Sequence, residues 1–175
     1  MRAVLMSIQP KWCELIALGK KTVEVRKTQP KLEVPFKVYI YCTKGRGDCL
    51  WRWNGIWYDT QDPNHRPNRL DGKVIGEFVC DGIIDISYVD LVENFRRLTH
   101  DIITPSCLKV QELKDYLGCK DGCGWHITDL VIYDKPRTLR EFKRWVDRSK
   151  GQKYHEDMLY LQRPPQSWCY VDSGL

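Results

Sequence analysis

The strand-like segments of this chain are short and are spread along its whole length. Each is apolar or alternates polar with apolar residues at the period of a strand. They lie at residues 3–8, 22–26, 37–42, 73–80, 125–133 and 168–171, and residues 82–86 are expected to continue the fourth beyond a bulge. Helical patterns lie between them at 10–18, 104–117 and 138–146. Many short strands with few helices predict an α+β fold, a closed or nearly closed β-barrel with short flanking helices, in a single domain over residues 1–175.

Local signals predict where several of these elements begin and end. Pro10 suits the first position of a helix, where its missing N–H costs nothing. Gly19 suits the left-handed position that ends that helix. Thr138, followed three residues later by Glu141, predicts the capped start of a short basic helix.

The clearest hairpin signal is Asn54-Gly55, which suits a two-residue type I′ turn. That turn predicts a shared face for Trp53 paired with Ile56 and Trp51 paired with Tyr58, with Arg52 and Trp57 on the other face. A hairpin cannot bury aromatic side chains on both faces by itself. It therefore packs on the barrel or presents its second face to a protein partner. The polar stretch 59–72 after it is predicted to be a surface loop insertion.

Basic residues are concentrated near the start of the chain. Residues 1–50 hold ten Lys/Arg and four Asp/Glu, whereas the net charge of the whole chain is +5. A basic patch built from this part attracts a polyanion such as RNA. A solvated, lysine-rich surface without a function is the alternative interpretation.

The eight cysteines favour a reducing compartment. No secretory signal and no apolar run of about 18 residues is seen, so we expect a cytoplasmic protein that does not bind a membrane. Scattered cysteines in such a protein are mostly reduced and buried. Cys119 and Cys123 form a C-x3-C pair, but no second pair has zinc-site spacing. The sequence therefore predicts no metal and no other cofactor.

The segment 22–26 carries the most informative polar residues. Strand geometry places Thr22, Glu24 and Arg26 on one face and its two valines on the other, where the core is expected. Lys21 stands just before them. Lys21 and Arg26 could hold an anion while Glu24 orients them or accepts a proton. An exposed Glu–Arg pair with little effect is the alternative.

Residues 19–26, GKKTVEVR, fit the pattern G-x-K-x-x-E-x-R, and through it the chain resembles the ASCH domain family. Further segments resemble a phage and bacterial subgroup of that family and lie, in order, at residues 8–12, 39–44, 72–80, 125–127 and 163–168. The resemblance implies a fold related to the PUA-like β-barrel, whose relatives bind RNA. It also implies that the pattern lies in a cleft on that barrel.

The resemblance implies RNA or nucleotide binding and leaves other functions open. Some small family members are amidohydrolases that deacetylate N4-acetylcytidine with a lysine, a threonine and a glutamate. Lys21 matches that lysine, whereas Glu24 stands where the threonine would be. Another member is a ribonuclease. In an enzyme, Lys21 would be the base or nucleophile, and Glu24 or Glu77 would carry the proton. A phage accessory protein that binds a partner through the tryptophan hairpin is the third interpretation.

Further residues are candidates for the same cleft. Lys44 follows a strand, Glu77 is a candidate carboxylate, His126 is the best acid–base candidate among the histidines, and Trp168 could stack a base. The predicted ligand-binding set, for RNA or a modified nucleoside, is Lys21, Glu24, Arg26, Lys44, Glu77, His126, Gln166, Ser167 and Trp168.

Overall fold

The fold was determined from a computed structural model, which describes residues 1–44, 51–53, 56–58, 70–89, 98–118, 120–147, 149 and 155–173. Strands in that part of the chain are β1 (Arg2–Ile8), β2 (Val23–Arg26), β3 (Phe36–Cys42), β4 (Trp51–Trp53), β5 (Ile56–Tyr58), β6 (Lys73–Cys80), β7 (Ile83–Ile86), β8 (Gly122–His126), β9 (Thr128–Arg137) and β10 (Trp168–Asp172). The α-helices are α1 (Pro10–Ala17), α2 (Thr104–Ser106) and α3 (Val110–Leu117). None of the helices described is long and apolar enough to cross a membrane. The predicted α+β class is confirmed, but the described strands form separate sheets and no closed barrel.

The chain divides into two compact units, each assembled from separate stretches. Unit 1 contains Met1–Glu14, Lys37–Phe78 and Val131–Leu175, and unit 2 contains Leu15–Phe36 and Val79–Leu130. The single domain expected from the sequence stays a prediction.

The sheet that lies largely in unit 1 has the strand order β10-β1-β3-β6-β9. β1 pairs with β10 in antiparallel orientation, with Arg2 opposite Asp172 and Met6 opposite Trp168, and it pairs with β3 in parallel orientation. Alternate residues of these strands face one apolar core, which comprises Ala3, Leu5, Tyr39, Tyr41, Val74, Leu139, Phe142, Leu161 and Val171.

Residues 138–146 do not form the predicted helix. Thr138 and Glu141 make the predicted capping box, but only a single 3-10 turn follows, at Leu139–Glu141. The backbone of the next residues pairs with neighbouring strands instead: Trp145 N–H donates to Tyr170 O and Asp172 N–H donates to Lys143 O, both at 3.0 Å. These sheet-like bonds use the groups that a longer helix would need.

In unit 2, β8 lies between β2 and β7, and both neighbours run antiparallel to it. One face of this sheet is covered by the helical segment 98–117, with a core of Val23, Val25, Ile86, Leu98, Ile102, Leu113 and Leu117. Gly124 allows the close approach, because a Cβ there would lie 2.7 Å from Ile102 Cδ1 and 2.8 Å from Val23 Cγ1. The valines of β2 therefore occupy the core that their alternation predicts.

Several local predictions are confirmed. α1 begins at Pro10, and Gly19 has φ +68°, in the left-handed region. β6 has the predicted limits. β4 and β5 pair in the predicted register, with Trp51 opposite Tyr58 and Trp53 opposite Ile56. The Asn54-Gly55 turn and most of the loop predicted at 59–72 lie outside the described residues.

Two predicted elements are wrong. Residues 83–86 form β7, which pairs with β8 instead of continuing β6, because the His126 N–H binds Gly82 O where the chain leaves β6. The helix predicted over 104–117 is broken at Cys107, whose φ is +57°. Ser106 explains the break, since its hydroxyl donates to Ile103 O and accepts from Leu108 N–H, a local alternative to helical bonding.

Candidate functional site

The backbone around Lys21 is fixed on two sides. Lys20 N–H and Lys21 N–H both donate to Leu15 O, at 2.9 and 3.0 Å, where the chain leaves α1. Thr22 N–H donates to Pro105 O at 2.8 Å. These bonds hold the side chain of Lys21 at the start of β2 before any side-chain contact is made.

Lys21, Glu24 and Arg26 form one ionic network. Lys21 Nζ lies 3.2 Å from Glu24 Oε2, and Arg26 Nη2 lies 2.9 Å from Glu24 Oε1. Lys21 Nζ also donates to Ser106 O at 2.7 Å. The three residues are only 2%, 6% and 7% exposed. The predicted polar face of β2 is therefore real, but it is buried, and its one carboxylate balances only one of the two cations that it contacts.

The three buried charges of this network depend on one another for their stability. Removing charges from water costs several kcal/mol per ion, and well-placed partners offset that cost. Here one carboxylate serves two cations, so the loss of Glu24 would leave both without that partner. The arrangement can present fixed donors and a fixed acceptor to a ligand without reorganisation.

The network shares its side of the sheet with apolar and sulfur groups. Across the β2–β8 pair, Glu24 lies opposite Trp125 and Arg26 lies opposite Cys123. Trp125 is fully buried, packs edge-on against Phe36 with ring centroids 5.5 Å apart, and its Nε1–H points to Cys123 Sγ at 3.3 Å. Burial raises the pKa of the Cys123 thiol. Farther along the same face, β7 contributes the exposed carboxylate Asp85, opposite Cys123.

Tyr116 of α3 is a contact of the network that the sequence analysis missed. Burial raises the pKa of its phenol, while the charge of Arg26 and its hydrogen bond to Tyr116 oppose that shift. Lys27 Nζ lies 5.3 Å from the centre of the Tyr116 ring. Tyr116 is 37% exposed, so it connects the buried network with the surface of the unit. Its place in an ordinary amphipathic helix gave no signal of this contact.

The segment Pro105 to Cys107 is the second contact that was missed. It accepts from Thr22 N–H and Lys21 Nζ through main-chain carbonyls, and Cys107 Sγ donates to Lys20 O at 3.3 Å. Every residue has a backbone carbonyl, so the sequence could not indicate which ones accept these bonds.

His126 lies in the same unit and forms a pair with Asp81. His126 Nδ1 and Asp81 Oδ1 are 2.6 Å apart, and both side chains are 45% exposed. His126 lies opposite Val23 in the sheet, so it belongs to the face opposite Glu24. The structure thus gives this predicted acid–base residue a carboxylate partner. It places the residue on the opposite face of the sheet from the ionic network.

Glu77 lies in unit 1, where it joins a different cluster. Lys37 Nζ is 2.7 Å from Glu77 Oε1, and the Tyr133 hydroxyl donates to Glu77 Oε2. Burial favours a higher pKa for Glu77, but the hydrogen bonds from Lys37 and Tyr133 outweigh it and the net shift of the pKa is downward. The pKa of Lys37 is raised, chiefly by its hydrogen bond to Glu77.

The other predicted residues also belong to unit 1. Lys44 is exposed, Gln166 is exposed, and Ser167 accepts the Ser7 N–H at its carbonyl. Trp168 is half-buried, with its ring centroid 5.4 Å from that of Tyr170.

Within the described ranges, no three His, Cys, Asp or Glu side chains lie close enough together to hold a metal ion. Cys119 of the C-x3-C pair is outside those ranges.

Comparison with known proteins gives one family and one fold. The family model described as ASCH domain matches residues 6–114. No curated protein matches the chain. The crystal structure of ASCH from Zymomonas mobilis is similar with a TM-score of 0.57 and 17% identity, covering 98% of this chain and 88% of that chain. A mutant of that protein gives a TM-score of 0.60 at 18% identity, covering 98% and 91%. At such identities the structural likeness shows the fold alone.

Proposed function

Since the chain belongs to the ASCH domain family, we propose that it binds RNA or a nucleotide through the surface of unit 2 around Lys21, Glu24 and Arg26. One observation carries the proposal: the charged residues of the family pattern form a buried network instead of an exposed pair. Charged side chains are seldom buried unless they are paired, and three of them at the charged positions of one family pattern are candidates for a functional site. A PUA-like barrel is the complete fold that we propose, on the strength of the family resemblance.

The proposed binding mode uses both the ionic network and the partly exposed residues around it. Lys21 and Arg26 contact a phosphate or a base carbonyl, and Glu24 accepts from a base N–H with the lone pairs its ion pairs leave over. Tyr116 offers a partly exposed ring beside Arg26 for stacking. The exposed side chains of Lys20, next to Lys21, and Lys27, next to Arg26, provide phosphate contacts.

Salt dependence of RNA binding tests this proposal without disturbing the buried charges. In the variant Lys20→Gln with Lys27→Gln, the slope of log K against log salt should fall by about 0.7 for each phosphate of the single strand that the protein no longer neutralises. Lys114→Gln, an exposed lysine on α3 of the same unit, is the matched control and should leave the slope unchanged. Binding that does not depend on salt, or an equal effect of the control, would reject the proposal.

The buried cations are tested separately. Lys21→Ala combined with Arg26→Ala should weaken RNA binding further, provided that circular dichroism shows the variant folded at the temperature of the assay. A folded double variant that binds RNA as the unmodified chain does would exclude the network from the binding site.

A hydrolase acting in the same place is the second candidate. The 3.2 Å contact of Lys21 Nζ with the Glu24 carboxylate supports it, because an amine and a carboxylate in contact can exchange a proton. The same contact and the bond to Ser106 O also count against it. Both hold Lys21 as a protonated cation, whereas a general base needs a free lone pair on the amine. Incubation with N4-acetylcytidine and with an RNA oligomer, followed by product analysis, decides the matter. Turnover no greater than that of a Lys21→Ala control would reject the hydrolase.

The protein-binding role of the tryptophan hairpin stays a separate proposal with less support. It predicts that Trp57→Ala alters capture of a partner protein and leaves RNA binding unchanged.

A further inference from the structure

Three aromatic side chains and an arginine form a continuous group in unit 1, outside the family pattern. The ring centroids of Trp168 and Tyr170 are 5.4 Å apart, and those of Tyr170 and Trp145 are 6.4 Å apart. The guanidinium carbon of Arg2 lies 4.4 Å from the centre of the Trp145 ring and 5.7 Å from that of Tyr170. We call these four residues the aromatic rim.

The strands fix the rim in place. Trp168 and Tyr170 are alternate residues of β10 and therefore share a face, and Arg2 of β1 is on that face because it lies opposite Asp172. Trp145 joins from the other side of β10 through its N–H bond to Tyr170 O. The three rings pack edge to face and are half-buried, and Arg2 is exposed, so part of the group is accessible to a ligand.

Basic side chains lie beside the rim. The described residues 137–147 contain four Lys/Arg and two Asp/Glu, an excess of +2. Among the described ones, Arg144 is exposed and Lys143 lies 3.7 Å from Glu156 in an open ion pair. The acidic side chain nearest to Arg2 in the sheet, Asp172, is 3.2 Å from the amino group of Met1. Cations therefore outnumber carboxylates beside the rings.

A depression of about 230 Å³ adjoins the rim, lined by Lys143, Arg144, Trp145, Val146, Leu159 and Asp172. The lining thus combines an indole and two basic side chains with one carboxylate, that of Asp172. An indole beside two cations suits a planar base next to a phosphate.

We propose that the aromatic rim and this depression are a second nucleic-acid contact, which takes a base and its phosphate from single-stranded RNA. Trp145 and Trp168 stack bases, and Arg2, Lys143 and Arg144 contact phosphates. Stacking of bases on aromatic rings tolerates any sequence, so this contact adds affinity without base specificity. The inference rests on the proposed function only in naming RNA as the ligand.

Fluorescence anisotropy with a labelled single-stranded RNA tests the rim in the full chain. Trp145→Ala should weaken binding about tenfold, because one base no longer stacks on the protein. With an abasic oligonucleotide of the same length the same variant should bind as the unmodified chain does. Arg2→Gln should weaken binding to both oligonucleotides, since it removes a cation that neutralises a phosphate.

Lys11→Gln is the matched control, because Lys11 Nζ lies 4.2 Å from the centre of the Trp12 ring, a cation over an indole elsewhere in the chain. It should change neither affinity. If Trp145→Ala does not fold, crosslinking of the unmodified chain to 4-thiouridine RNA replaces it, and mass spectrometry should locate crosslinks at residues 143–146 or 168–172.

The outcomes separate this proposal from the one before it. Full binding by Arg2→Gln and Trp145→Ala, with weakened binding by Lys20→Gln/Lys27→Gln, would reject the rim and leave the proposed function standing. Weakened binding in the rim variants alone would support the rim and reject the surface around Lys21. An unmodified chain that binds no RNA would reject both.

Discussion

Glu24 lies directly opposite Trp125 in the antiparallel β2–β8 pair, so a carboxylate that is 6% exposed shares a sheet face with an indole that is 0% exposed. Apolar surroundings strengthen the ion pairs of Glu24 and also the penalty for breaking them. The stability of unit 2 and its proposed ligand contacts therefore depend on the same carboxylate.

Glu24→Gln should destabilise the chain strongly. The change leaves Lys21 and Arg26 buried without their shared counter-charge, a defect that typically costs about 3–5 kcal/mol. Urea unfolding followed by circular dichroism measures the effect. Glu141→Gln is the control, because Glu141 pairs with Arg137 at 3.0 Å but is 44% exposed, and such pairs contribute about 0–1 kcal/mol. Equal destabilisation by the two variants would contradict the buried network.

Gly124→Ala should lower the free energy of unfolding by about 1–3 kcal/mol. The new methyl group would meet Ile102 Cδ1 at 2.7 Å and Val23 Cγ1 at 2.8 Å, and both belong to a packed core. Gly82→Ala, where the nearest atom outside its neighbours is His126 Cβ at 3.9 Å, should have a smaller effect. Thermal unfolding of the two variants side by side gives the comparison, and a tolerated alanine at 124 would mean that the helices can shift away from the sheet.

Glu77→Gln should destabilise the chain in a pH-dependent way. The pKa of Glu77 is lowered by folding, so its contribution is present above its ordinary value of 4.5 and is lost as the pH falls through the lowered pKa. Because Lys37 is 41% exposed, solvent limits the contribution to roughly 1 kcal/mol at neutral pH. The stabilities of the two proteins should begin to approach each other as the pH falls below 4.5 and should meet below the lowered pKa, whereas Glu33→Gln, at an exposed position, should match the unmodified chain throughout.

Alkylation of the folded chain at pH 8 should label Cys107 before Cys169. Both are half-buried, but burial raises the pKa of Cys169 to about 11, which leaves ~0.1% thiolate at that pH. Cys80 should also react slowly, because it is fully buried and its pKa is likewise raised to about 11. Peptide mass spectrometry over a time course measures the order, and rapid labelling of Cys169 would contradict the packing around β10.

The parts of the fold that the sequence predicts are those governed by neighbouring residues. Pro10 and Gly19 fix the ends of α1 through their own backbone limits, and alternation along β2 separates the valines from Glu24 and Arg26. The hairpin register also follows from spacing alone.

The predictions fail where contacts between residues far apart in the chain determine the structure. A long helix at 104–117 satisfies every local rule. The Ser106 hydroxyl, however, bonds to the backbone of Ile103 and Leu108, and the Ser106 carbonyl accepts from Lys21, which lies far away in the chain. The partner of β7 is β8, about 40 residues later, and nothing in residues 83–86 identifies it. For the site, residue types indicated Lys21, Glu24 and Arg26, but neither their burial nor the contact with Tyr116.

The pairing of β1 with β10 has a consequence for how the protein is made. On the ribosome, residues 2–6 emerge well before residues 168–172, the strand with which they pair in the sheet. Until then β1 can pair only with β3, and its other edge is open to any extended chain nearby. We expect nascent chains stalled before residue 168 to require a chaperone to stay in solution, and the emergence of residues 168–172 to end that need.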